Sequence, residues 1–341
     1  MAEFLEMRYG ARLAATFSVI GGVVCILFAG MGVLAIGKIV AGLTTLSVEQ
    51  SIALISLIVG AYVFSGGMMS ALLTDLLQGL MCLFILSFVM LPFLWMEVGG
   101  MASLRTLPPS TWDLAGEGMT LWTVLALNAS ALVGGVAAPW IYNWIAVSRD
   151  ERAATQCGWG HLWKRVITLL FALYGILFAI YDPGLADGEL AWGQVMGQLL
   201  PVGLLGLLVA SFFAAAMSSA DAWATTSSAM HVDYLYRKVL RRGRSLRHYL
   251  RASRVWAAAS IGLAALCALQ VETIRDILNM SMSLLGFLGL PIYFGVYWRR
   301  ANRLGMWLSL TLGMGAYVTI MLLMTGTGRT FPDSASAFPW G

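Results

Sequence analysis

Ser218, Asp221, Thr225 and Ser228 stand at i, i+3, i+7 and i+10 in the otherwise small and apolar run Phe213-Ala-Ala-Ala-Met-Ser-Ser-Ala-Asp-Ala-Trp-Ala-Thr-Thr-Ser-Ser-Ala-Met230. On a helix these four side chains share one face. The apolar run begins near Leu199 and ends at a basic segment starting at Arg237, so the stripe lies within a membrane-length helix. A carboxylate at mid-membrane costs about 2.5–3.5 kcal/mol on insertion scales, and it normally faces a partner, an ion or water. Hydroxyls, a carboxylate and small residues on one stripe offer the oxygen ligands that a hard cation needs as it sheds water. That pattern points to ion-coupled transport.

The elements that must position this stripe are membrane helices. The chain has 341 residues, 59% of them hydrophobic and 11% charged, with a mean hydropathy of +0.80. These values exclude a soluble domain and give an all-α polytopic membrane protein. The 37 glycines suit close helix–helix packing in lipid. No cleavable signal peptide is visible at Met-Ala-Glu-Phe-Leu-Glu-Met-Arg. Cys25, Cys82, Cys157 and Cys267 are scattered, as are His161, His231 and His248, with neither disulfide nor metal spacing.

Apolar runs long enough to span about 30 Å of hydrocarbon fall near 13–36, 51–67, 70–96, 120–147, 164–182, 197–230, 255–272, 277–297 and 304–326. About nine crossings follow, with the termini on opposite faces. If the N-terminus is cytoplasmic, seventeen of the 21 Lys and Arg residues lie inside and only Lys38, Arg105, Arg275 and Arg329 lie outside. The positive-inside rule therefore places the N-terminus in and the C-terminus out. The chain reads as one transmembrane domain over 1–341, with a basic cytoplasmic loop at 237–254 and an external tail at 327–341. The basic loop admits a nucleic-acid or lipid-binding reading. A topology anchor between two helices is the plainer one, and no nucleic-acid partner is expected.

Four segments, in order, carry a resemblance. They are Glu3-Phe-Leu-Glu-Met-Arg-Tyr-Gly-Ala-Arg12, Phe64-Ser-Gly-Gly-Met-Met-Ser-Ala-Leu-Leu-Thr-Asp-Leu-Leu-Gln78, Ala214-Ala-Ala-Met-Ser-Ser-Ala-Asp221 with Asp233-Tyr-Leu-Tyr236, and Gly295-Val-Tyr-Trp-Arg-Arg-Ala-Asn-Arg-Leu-Gly305. Together they resemble the sodium:solute symporter family, which includes sugar, proline, pantothenate and sialic acid carriers. The resemblance implies a partial leucine-transporter-like, inverted-repeat helical bundle corresponding to the family's helices 3 to 11. It also implies that half of the family's ion and substrate sites lies on helices this sequence does not contain.

Carried over residue by residue, the resemblance gives the helix-8 half of a sodium site to the Ala215 carbonyl and the Ser218 and Ser219 hydroxyls. The alternative is that these small residues only pack. A second sodium site in some subfamilies uses the aspartate that matches Asp75. Ala222 stands where those members carry a hydroxyl, and Asp221 is the candidate replacement. Asp221 could equally be a structural carboxylate, and Asp75 a snorkelling or helix-start one. If the two approach each other, proton coupling becomes a variant. Asn128 and Asn279 are candidates to line the substrate path, or to hydrogen-bond between helices. Pro139 should kink its helix. Trp140, Tyr142 and Trp144 read as interfacial anchors, with aromatic gating the lesser reading. Ala131 and Gly134 stand where sugar carriers present Asn and Tyr, which argues against a sugar.

The expectation is thus a sodium-driven symporter of a small polar organic solute, multi-pass in the cell (inner) membrane. Sodium is its coupled ion and not a prosthetic group. A non-transporting sensory or regulatory module of the same fold is the rival. An enzyme is not expected, because no nucleophile–base or metal constellation is present.

Overall fold

The computed structural model describes residues 2–65, 68–112, 121–146, 148–185 and 187–326. Two short 3-10 helices and two π-helical stretches aside, the elements are α1 (Ala2–Tyr9), α2 (Ala11–Leu43), α3 (Val48–Ser65), α4 (Met68–Phe84), α5 (Leu91–Glu97), α6 (Met101–Leu104), α7 (Leu121–Ala137) and α8 (Pro139–Ala146). There follow α9 (Glu151–Tyr181), α10 (Ala191–Leu199), α11 (Val202–Ser228), α12 (Leu246–Ala268), α13 (Ile274–Tyr297) and α14 (Arg303–Gly326). No strand occurs among the described residues.

The breaks follow the local chemistry. Gly10, at φ +96°, separates α1 from α2 in a conformation that L side chains rarely adopt. Pro201 divides the expected 197–230 span, so that α10 ends at Leu199 and α11 starts afresh. Pro139 does more than kink its helix: α7 stops at Ala137, and the proline opens α8 at a first-turn position where no N–H is needed. Two stretches widen to π-helix, Ile85–Met90 just before Pro92 and Ala229–Leu240 after α11. In the first, the Leu86 carbonyl accepts from the Leu91 N–H and from the Tyr174 hydroxyl at 2.6 Å. A neighbouring side chain thus takes up backbone capacity at the widened turn.

Among the described residues, each of the nine expected spans overlaps a helix. Among the described residues, six helical stretches are long and apolar enough to cross a membrane: Ala11–Leu43, Val48–Ser65, Thr74–Glu97, Val124–Tyr142, Val202–Leu240 and Ile274–Tyr297. Thr168–Tyr181 is a shorter apolar stretch. The helix α2 is the one around which the others gather, packing against α1, α3, α10, α11, α12 and α13. Its Leu13, Ala14, Val24, Cys25, Ala29 and Leu34 are buried. Helix α7 crosses α13 closely, with Gly134 against Leu285 and Gly289 against the Val133 carbonyl.

Two expectations change. The basic stretch 237–254 is mostly helical, and only Arg241–Ser245 forms a connecting turn. Ser245 caps α12 by accepting from the His248 N–H, and the Leu and Arg residues that follow are good helix formers. Trp140, expected as an interfacial anchor near the end of its span, also packs inward, at 4.9 Å from Phe28 and 6.5 Å from Trp223, where α8 lies against α11. The side chain of Trp144 and the tail 327–341 lie outside the described residues.

Candidate functional site

Helix α11 remains regular through Ser228, so the polar stripe keeps its helical register along the whole face. Its four members have different surroundings. Ser218 donates to the Ala215 carbonyl at 3.1 Å, which places two candidate cation ligands side by side while the hydroxyl keeps its lone pairs. Ser219 is half-buried on the next position round the helix. Thr225 donates to the Asp221 carbonyl at 2.7 Å and so is satisfied by backbone. Ser228 donates to the Ser253 carbonyl of α12 at 3.0 Å, which makes it a helix–helix contact.

Asp221 is different. It is 1% exposed, and neither carboxylate oxygen has a hydrogen-bond donor among the described residues. A buried charge without partners costs several kcal/mol, which sets Asp221 apart from the other members of the stripe. Helix α4 lies along α11. Asp75 is carried on that neighbouring helix. Asp75 is half-buried two turns inside α4, away from the helix start, and its Oδ1 is likewise unpartnered. One turn on, Gln78 Oε1 is also buried and unpartnered. Thr74, next to Asp75, meets the Tyr62 hydroxyl of α3 at 2.9 Å.

The oxygen set suits a hard monovalent cation: carboxylate, hydroxyl and carbonyl donors, with no soft ligand among them. No group of three or more His, Cys, Asp or Glu residues that could hold a metal ion occurs among the described residues. Asn128 is exposed on α7 and donates to the Val124 carbonyl at 2.8 Å; Asn279 is half-buried on α13, the helix that α7 crosses. Neither lies on α4 or α11. A cleft of about 190 Å³ opens where α11 passes into the π-helical stretch Ala229–Leu240, lined by Glu3, Pro139, Tyr142, Thr226, Asp233 and Lys238.

Sequence reasoning missed a second charged cluster. Lys38, 6% exposed near the end of α2, pairs with Asp187 at 3.5 Å and with Glu189. The other Glu189 oxygen accepts from the Ile274 N–H at 2.8 Å, at the start of α13. The signal was present: a single lysine inside the apolar run of α2 requires carboxylates from elsewhere.

Comparison with known proteins agrees with this architecture. The sequence pattern of the Sodium:solute symporter family matches residues 1–313. The sodium/pantothenate symporter of Haemophilus influenzae is 25% identical over 297 residues, covering 82% of this chain and 59% of that one. The sodium/sialic acid symporter of Aliivibrio fischeri is 24% identical over 358 residues, covering 96% of this chain and 69% of that one. A solved structure, described as the substrate-bound outward-open state of a Na+-coupled sialic acid symporter with a novel Na+ site, superposes with a TM-score of 0.73 at 19% identity. That likeness covers 89% of this chain and 67% of the other, and it shows a leucine-transporter-like fold. The chain spans about three-fifths of the length of the pantothenate carrier. With the family pattern matched over residues 1–313 on an all-helical bundle, the chain belongs to the sodium:solute symporter family, whose members are membrane carriers and not enzymes.

Proposed function

We propose that this protein couples sodium entry to the uptake of a small polar organic solute by alternating access. The observation that carries this reading is Asp221, a buried carboxylate without a partner among the described residues, on the stripe that also holds the Ala215 carbonyl and the Ser218 hydroxyl. In this reading Ala215, Ser218 and Ser219 hold sodium from the α11 side. Asp221 and Asp75 hold a further cation, and Asn128 and Asn279 contact the solute. A cation on Asp221 removes an uncompensated charge from the bundle. The loaded and empty carriers then differ in charge, and a membrane potential discriminates between them by about 2.3 kcal/mol per charge per 100 mV. The inside-facing excess of arginines orients the N-terminus to the cytoplasm of a cell membrane.

The test is uptake into proteoliposomes under an imposed inward sodium gradient, with labelled pantothenate, proline and sialic acid as trial solutes. Sodium-driven accumulation of at least one, abolished by collapsing the gradient, is the expected result. Accumulation that follows a proton gradient alone would favour the proton-coupled variant, for which the placement of Asp75 and Asp221 on two helices packed together is the supporting observation. Accumulation of none under either gradient would favour the non-transporting reading.

A further inference from the structure

Between Arg237 and Arg254 the chain holds seven arginines, one lysine and no acidic residue. Lys238 pairs with Glu3 at 2.9 Å and Glu6 at 3.7 Å. Among the described residues, none of the seven guanidiniums has a carboxylate within 4.0 Å. Arg241, Arg242, Arg244, Arg247 and Arg251 are all exposed. Arg247 lies in the first turn of α12, which contains no acidic residue. That end of a helix favours anions and disfavours cations, so the local charge is doubly uncompensated.

A second feature shares the segment. Leu246 is 66% exposed and Leu250, one turn later, 55% exposed, with Leu240 and Val255 exposed on either side. A surface meant only for water or for a soluble polyanion has no use for this row of leucines. Guanidiniums and aliphatic side chains interleaved at the end of membrane helices match a headgroup layer: the arginines meet phosphates and the leucines enter the acyl boundary.

We propose that the Arg237–Arg254 segment is a binding site for acidic phospholipid headgroups. The turn Arg241–Ser245 and the first two turns of α12 form it. Arg241, Arg242, Arg247 and Arg251 contact the phosphates, while Leu246 and Leu250 anchor beneath them. The site is separate from Asp221 and operates whether or not solute is moved.

The test is native mass spectrometry of the purified protein after equilibration with equal phosphatidylglycerol and phosphatidylcholine in detergent. The wild type should retain phosphatidylglycerol with an enrichment on the order of ten-fold, falling to parity in R241Q/R242Q/R247Q/R251Q. In L246Q/L250Q, phosphatidylglycerol retention should fall while heparin retention is unchanged. Should the fourfold variant fail to fold, raising the salt must itself shrink the wild-type enrichment. Equal retention of the two lipids, a fourfold variant that behaves as wild type, or salt-insensitive enrichment would each overturn the proposal. Strong heparin binding with no lipid preference would also overturn it, in favour of a soluble polyanion.

Discussion

The molecule buries charge in two places and treats it in opposite ways. At the end of α2, Lys38 is met by Asp187 and Glu189, and Glu189 uses its second oxygen on the α13 N-terminus. Two turns before the end of α11, Asp221 is buried as deeply, and both of its oxygens are unpartnered among the described residues. A buried charge with its partners ties elements together; one without them destabilises the bundle until something mobile arrives. The first region is therefore architecture, and the second is where we propose that the coupled ion sits. Substitutions at the two sites should move stability in opposite directions.

The largest effect is expected at the unpaired site. Asp221→Asn should reduce sodium-driven uptake by on the order of a hundred-fold, the scale of a lost charge-assisted contact of about 3 kcal/mol. It should leave thermal stability equal or raise it by about 1 kcal/mol, because a buried charge has been removed. Lys38→Met should do the reverse, lowering stability by about 2–4 kcal/mol in a thermal melt. Two carboxylates then lose their cation, although their partial exposure softens the loss. A stable Lys38→Met protein beside an unstable Asp221→Asn protein would break the comparison.

How far each region was legible follows from the distance that its physics spans. The α11 stripe could be read because helical periodicity puts Ser218 and Asp221 on one face within a single segment. The lone Lys38 in its apolar run signalled a need for carboxylates, but which ones could not be read, because its partners lie 149 and 151 residues away and only the fold brings them together. Asp75 was placed by resemblance, but its position two turns inside α4 needed the helix boundary. The inward packing of Trp140 followed from the break at Pro139, which sequence suggested only as a kink. The π-helical stretches had no sequence signal at all.

Two smaller effects sharpen the contrast between packed and exposed contacts. Gly289→Ala would drive a methyl group into the Val133 carbonyl where α7 crosses α13. It should cost about 1–3 kcal/mol in the same melt, whereas a neutral outcome would show that the crossing is loose. At the surface, the Lys238 ammonium donates to Glu3 and holds that carboxyl below its ordinary value of 4.5. A lowered folded-state value gives stability that is present above the ordinary value and lost as pH falls through the folded one. Glu3→Gln should therefore flatten the acid limb of a stability–pH curve slightly, the pair being exposed and screened. A large change there would mean that α1 is held mainly by this contact.

The most direct measurement of the central claim is equilibrium binding of radiolabelled sodium to the purified protein, comparing wild type with Ser218→Ala and Asp221→Asn. Saturable binding in the wild type that weakens markedly in both variants is the predicted result. No saturable binding in the wild type, or equal binding in all three proteins, would contradict the assignment of α11 as the face that holds the coupled ion.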